Sequence, residues 1–467
     1  MKGACRRPLL GLVLAALIIT FTVSPQFRHI YSLPHHMRII EGEKTSLTVH
    51  FPLTVTVNNE TLRLQSSIVL NSMLSRPVSM EFVKKGKTTV DFKLFGIIPV
   101  RSVEVDVIPS LAIIPGGHSI GVILHSQGVI VVGISPVLSE HDQFLTPAKD
   151  SGIAIGDVIL SINGSPVQSD AQVAEIIDNS GKKNQQVDIF IKRGDTRLNL
   201  SVTPVLCSDT KRYRIGLFVR DSAAGVGTLT FYDPKSKNYG ALGHIISDSD
   251  TNQPIDCNQG KIVFASVSGI QQGKRGQPGE KMGILIEENN YLGDIQKNTA
   301  FGIYGTLNTV MDNNIYSEAL PVASMSQIQT GPAEMLTVVN GQEIDRFNID
   351  IQKINYQDYP EGKGLVIKVT DHRLLEKTGG IVQGMSGSPI IQNGRIVGAV
   401  THVFVHDPTR GYGCFIDWML MESGLIPKKD RQTMRQLFSY KSPIIYGPRK
   451  GLFFYEKNFE VFCINFP

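Results

Sequence analysis

Gly384-Met385-Ser386-Gly387-Ser388-Pro389 lies between the apolar pairs Ile381-Val382 and Ile390-Ile391. A Gly-x-Ser-Gly-x-Pro turn presents a serine hydroxyl on a tight, glycine-flanked loop. It also points the backbone N–H groups of Gly384 and Ser386 the same way, as an oxyanion hole needs. Downstream, Ile390-Ile391, Gln392-Asn393-Gly394-Arg395 and Ile396-Val397-Gly398-Ala399-Val400 read as a β-hairpin with an Asn-Gly turn. A plain surface turn uses the same residue types, so the reading depends on finding a base and a carboxylate elsewhere.

Working outward, the 467 residues are 42% hydrophobic and 19% charged, an ordinary globular balance with room for two or three domains. The net charge of +4 is too small to argue for nucleic acid as a partner. With 44 Gly and 24 Pro and little helical periodicity, mostly β structure is expected. The five cysteines (Cys5, Cys207, Cys257, Cys414, Cys463) are widely spaced without a CxxC, which speaks against a zinc site or a dense disulfide framework.

Lys2, Arg6 and Arg7 precede the apolar run Leu9 to Val23. Cations ahead of such a run read as an export signal that stays as an anchor if uncleaved, placing the rest of the chain outside the cytoplasm. Residues 1–25 are therefore read as the signal or anchor segment and residues 26–108 as a tether and an N-terminal β region. Within it, Leu53-Thr54-Val55-Thr56-Val57 and Val103-Glu104-Val105-Asp106-Val107 alternate as strands do.

Residues 109–205 contain Pro147-Ala148-Lys149-Asp150-Ser151-Gly152-Ile153-Ala154-Ile155-Gly156-Asp157-Val158-Ile159-Leu160-Ser161-Ile162-Asn163-Gly164. Ser169 with Gln172 three residues on predicts a capped helix, with Val173, Ile176 and Ile177 as its apolar face. Strands around Val187–Ile191 and Leu198–Val202 follow. This unit resembles a bacterial-type PDZ domain. The resemblance implies peptide binding by β-augmentation, and the loop Gly117, His118, Ser119, Ile120, Gly121 is the expected carboxylate cradle.

Residues 215–425 are read as the unit that carries Ser386, and residues 426–467 as an unassigned tail. A serine needs a base, usually a histidine oriented by a carboxylate. His244 follows a strand and turn early in this unit. For the carboxylate, Asp371 ends the apolar run Leu365–Thr370, with Asp248, Asp250, Asp345 and Asp350 as competitors. His402 and His406 lie on a strand-like run, where four residues span about 13 Å, too far for one ion. No metal or other cofactor is expected.

Arg220-Asp221-Ser222-Ala223-Ala224-Gly225, Gly243-His244, the Ser386 loop and the PDZ-like unit together resemble the stage IV sporulation protein B family of serine peptidases. The likeness runs from about residue 50 to about residue 425. It implies a PDZ domain followed by a trypsin-like, chymotrypsin-type double β-barrel, with the catalytic His, Asp and Ser on His244, Asp371 and Ser386. It further implies action between the forespore and mother-cell membranes. There the substrate is a protein regulator that restrains a membrane-embedded metalloprotease, which then processes a sigma factor. Separately, the PDZ groove is expected to recognise a substrate or this chain's own N-terminal region and to allow self-association. Cleavage of the segment from Ser24 to about Glu43, which lacks a firm structural pattern, is expected to be autoproteolytic. Two departures stand out: Met385 takes the place of the Asp that captures a freed N-terminus in trypsin-like zymogens, and Asp371 lies only fifteen residues before Ser386. The competing readings are a non-catalytic PDZ adaptor with a decayed barrel, and a broad extracytoplasmic quality-control protease.

Overall fold

The computed structural model describes residues 36–42, 44–49, 53–57, 62–65, 76–82, 86–286, 291–357, 360–427 and 461–462. Residues 1–35 and nearly all of the C-terminal tail lie outside these residues. The N-terminal region holds a four-stranded sheet in the order His36–Ile40, Ile98–Ile108, Gly86–Leu94, Leu53–Val57, and a three-stranded sheet of Lys44–Val49, Arg76–Phe82 and Leu62–Gln65. The alternation of Val103, Val105 and Val107 with Glu104 and Asp106 is realised as buried valines beneath a solvated face.

Beyond it lie two β-barrels. In the first, the long strands Ser119–Ile134 and Leu217–Tyr232 pair with each other. Asn238–Ala241 and Gly302–Thr306 extend the sheet on one side and Cys257–Gln271 and Gly293–Asp294 on the other. A bridge between Gly293 and Leu307 closes the ring. In the second, Gly331–Val338, Ile344–Ile354, Leu365–Val369, Asp407–Phe415 and Arg395–Phe404 pair in sequence. Pro389–Gln392 bonds to both the first and the last of them, which closes a six-stranded barrel. Each barrel is filled by its own apolar core, with Val122, Leu124, Leu229 and Ile262 in the first and Met335, Ile367, Ile390 and Val400 in the second. Burying each such side chain contributes about 1.5–3 kcal/mol.

The order of a PDZ ahead of the peptidase unit is kept, but strand residues that precede the PDZ join the first barrel. The PDZ is inserted within the first barrel. Ser119–Ile134 and Leu217–Tyr232 form one two-stranded ribbon whose barrel half pairs Ser119–His125 with Ser222–Thr228 and whose PDZ half pairs Ile130–Ile134 with Leu217–Arg220, with register shifts between. The PDZ half also carries Val158–Ile162, Val187–Arg193 and Thr196–Val202. The capped helix forms at Asp170–Lys182, with Ser169 Oγ accepting from the Gln172 N–H. Its Val173 and Ile177 pack on Val129, Ile159 and Ile189.

Candidate active site

Ser386 and His244 meet where the two barrels face each other. His244 follows the strand Asn238–Ala241, and its Nε2 lies 3.0 Å from Ser386 Oγ. Its Nδ1 lies 2.8 Å from the carbonyl oxygen of Ile245. A carbonyl only accepts, so Nδ1 carries the proton and Nε2 is the bare nitrogen that faces the serine. Ile245 thus fixes the tautomer a general base needs. The serine hydroxyl has a second acceptor, the Thr401 carbonyl at 2.6 Å. Rotation about one bond moves its proton between the two.

The Ser386 loop is held plane by plane. The Lys281 N–H donates to the Gln383 carbonyl at 3.0 Å, and the Thr228 N–H donates to the Ser386 carbonyl at 3.0 Å. Thr228 Oγ1 donates to the Gly384 carbonyl at 2.8 Å. The Ser388 N–H donates to the Met385 carbonyl at 3.0 Å and the Gly387 N–H to Val400 at 2.8 Å. With the carbonyls so engaged, the N–H groups of Gly384 and Ser386 have no acceptor among the described residues. Unengaged backbone donors on a serine-bearing loop are what an oxyanion hole requires. Gly384 (φ 87°) and Gly387 (φ 92°) occupy the left-handed region. A side chain on Gly387 would also meet the Thr228 carbonyl at 2.1 Å.

The pair is sealed, with Ser386 0% and His244 3% exposed. Loss of water pushes the His244 pKa down to about 4, partly offset by the Ile245 carbonyl. His402 stacks beside it at 5.2 Å between ring centroids, and burial with the neighbouring His244 and Lys363 pushes its pKa to about 3. Lys281 was not singled out by sequence. It is buried, with Nζ 2.8 Å from Thr337 Oγ1, and its pKa falls to about 7 by desolvation. A lysine inside an alternating strand carries no local signal that its head is buried.

Asp371 is not joined to His244. It caps the helix His372–Thr378, and its carboxylate accepts from the Arg373 N–H and guanidinium and from the Asn348 N–H at 3.2 Å. Arg373 first, then these N–H groups, hold its pKa below the usual carboxylate range against a desolvation that raises it. A strand-end aspartate looks the same in sequence whether it orients an imidazole or caps a helix. Asp248, another of the competitors, binds Arg220 at 2.9 Å.

The loop Gly117, His118, Ser119, Ile120, Gly121 is also corrected. It enters the barrel half of the ribbon, with Ile120 opposite Gly227 and Phe264 and Gly121 opposite Val226 and Val263. A strand paired on both edges cannot accept a peptide. The open groove of the PDZ lies between helix Asp170–Lys182 and Ile215-Gly216-Leu217-Phe218-Val219. It is a cavity of about 470 Å³ lined also by Ala174, Ile177 and Arg214. Ile215-Gly216-Leu217-Phe218 was a legible glycine-bearing entry to a strand, placed by sequence reading at the start of the next unit.

Residues 211–420 match the family model described as SpoIVB peptidase S55, and residues 120–203 match that of a PDZ domain. The two matches together resemble the PDZ-plus-peptidase architecture of SpoIVB S55 peptidases. Curated relatives share only segments with this chain. Serine protease HTRA1 of Xenopus laevis is 41% identical over 13% of this chain and 12% of its own length. Putative serine protease HhoA of Synechocystis sp. is 33% identical over 16% of this chain and 17% of its own. Regulator of sigma-W protease RasP of Bacillus subtilis is 28% identical over 25% of each. The chain therefore spans a quarter or less of these relatives.

Proposed function

We propose that this chain is an exported, membrane-tethered serine endopeptidase that cleaves a protein regulator in a sporulation signalling pathway. Ser386 is the nucleophile, His244 the general base, and the N–H groups of Gly384 and Ser386 the oxyanion hole. The 3.0 Å contact between Ser386 and His244 beside two unengaged N–H groups carries the catalytic part of this reading. Ser386 Oγ attacks the peptide carbonyl carbon as its proton passes to Nε2. The charge on the carbonyl oxygen is met by the two N–H groups. Collapse expels the amine, which takes the proton from His244, and water then resolves the acyl-enzyme by the same route. Because the pair is sealed at rest, substrate entry requires the barrels or a covering segment to move aside.

The pathway, the tether and the compartment rest on the resemblance and on Lys2, Arg6, Arg7 and the apolar run Leu9 to Val23. The downstream partner is a membrane-embedded metalloprotease relieved of its regulator, in the space between forespore and mother-cell membranes. The PDZ groove takes an extended peptide from a substrate or from this chain's own N-terminal region, and release includes self-cleavage of the tether. A fluorophosphonate probe tests the chemistry: labelling should appear and vanish in Ser386→Ala. An unlabelled wild type would leave the non-catalytic adaptor reading. Peptides cut by wild type and not by Ser386→Ala identify the substrate. N-termini that shorten equally in both proteins would refute self-release.

A further inference from the structure

The N-terminal sheet ends in an apolar hairpin tip. Leu94-Phe95-Gly96-Ile97 makes a tight turn between the strands Gly86–Leu94 and Ile98–Ile108, closed by the Ile97 N–H donating to the Leu94 carbonyl at 3.1 Å. Both central residues have positive φ, Phe95 at 53° and Gly96 at 75°. Such a turn ordinarily takes Asn-Gly, because a bulky residue there is strained. Phe95 is nonetheless exposed, and Ile97 and Ile98 are 81% and 55% exposed. Neither backbone preference nor core packing explains three large apolar side chains at this place. Lys93 stands just behind the tip, opposite Pro99.

The direction of the chain supplies the partner. His36–Ile40 runs parallel to Ile98–Ile108, with His36 opposite Glu104. Its start therefore points toward the tip, about 20 Å from it at 3.3 Å per residue. The twelve residues from 24 to 35 reach at most about 40 Å. A leader lying in a membrane would thus enter the fold from the tip's side, and the tether is long enough for the tip to touch the same membrane.

We propose that the Phe95–Ile98 tip is a membrane-contact surface that inserts its apolar side chains among acyl chains while Lys93 meets anionic headgroups. It sets the distance and orientation of the peptidase above the bilayer. The proposal rests on the tethered reading above.

The test uses the full chain in vesicles of phosphatidylcholine and phosphatidylglycerol. The chain has one tryptophan, Trp418, buried in the second barrel, which gives a constant background. Ile97→Trp should show blue-shifted emission and be quenched at least two-fold by lipids brominated on their acyl chains, more weakly when phosphatidylglycerol is left out. Lys87→Trp, at the far end of the same hairpin, should not. Phe95→Asn should raise the melting temperature by relieving the turn and reduce quenching of Ile97→Trp. If the chain floats with vesicles and Ile97→Trp is quenched no more than Lys87→Trp, the tip proposal is wrong while the tether stands. Unquenched emission that is already blue-shifted would mean that protein, such as a second copy of this chain, covers the tip. A chain that does not float overturns both.

Discussion

The hydroxyl of Thr228 donates to the carbonyl of Gly384 at 2.8 Å, joining the first barrel to the Ser386 loop of the second. Thr228 lies on Leu217–Tyr232, the strand whose other end lines the PDZ groove. Thr228→Val keeps the shape and removes this donor, so the Gly384 peptide loses its lock. We expect kcat to fall about tenfold with KM little changed, because the loss is felt where the oxyanion forms. Unchanged kcat in steady-state assays would show that the Thr228 and Lys281 N–H groups suffice.

Ser386→Ala and His244→Ala should each lower turnover by about 10³-fold or more, since neither nucleophile nor base has a substitute within reach. Ser388 is the neighbouring hydroxyl. It is buried with no hydrogen-bond partner among the described residues, and Ser388→Ala should keep most activity. Peptide hydrolysis by folded variants checks the ranking; near-normal activity of Ser386→Ala would be fatal to it.

Asp371→Asn separates a capping aspartate from a catalytic one. Asn still caps the helix, and the change removes the charge that pairs with the exposed Arg373 guanidinium, so stability should fall only slightly. Turnover of the folded variant should stay within about tenfold of wild type. A loss near 10³-fold at unchanged stability would mean that the working state brings Asp371 to His244.

The His244 pKa of about 4 lies below its ordinary 6.5, so the folded protein binds fewer protons than the unfolded chain between these values. Stability contributed by the neutral imidazole is present above about 6.5 and is lost as pH falls through about 4. His402, pushed to about 3, acts in the same direction. The acid limb of kcat/KM should therefore lie well below 6.5. A limb centred at 6.5 would show that the working site is open to water.

Ala174 is exposed on the helix Asp170–Lys182 and lines the groove opposite Leu217–Val219. Ala174→Arg should block peptide binding to the PDZ, read by fluorescence anisotropy, and leave hydrolysis of a short peptide within about two-fold. Retained binding would place the peptide elsewhere.

Much of this molecule was legible residue by residue. The Gly384–Pro389 loop, the hairpin after it, the Ser169-capped helix and the alternating strands each form from signals a few residues apart. What sequence did not resolve depends on partners far along the chain. Gly117–Gly121 and Ile215–Phe218 both read as glycine-bearing entries to apolar strands. Only the pairing of Ser119–Ile134 with Leu217–Tyr232 decides that the first is sealed in a barrel and the second faces a groove.

The sequence by itself determined that a serine sits on a turn able to aim two N–H groups, that a PDZ-like unit precedes it, and that His244 is available as a base. Tertiary structure alone decided that the PDZ is inserted within the first barrel, that Ile245 rather than Asp371 orients the imidazole, and that Thr228 steadies the Gly384 peptide. The reason is physical. Turns, caps and periodicity are fixed by local dihedrals and side-chain spacing. Strand pairing and these hydrogen bonds use backbone groups that every residue carries, so nothing in a side chain's identity announces which distant carbonyl it will meet.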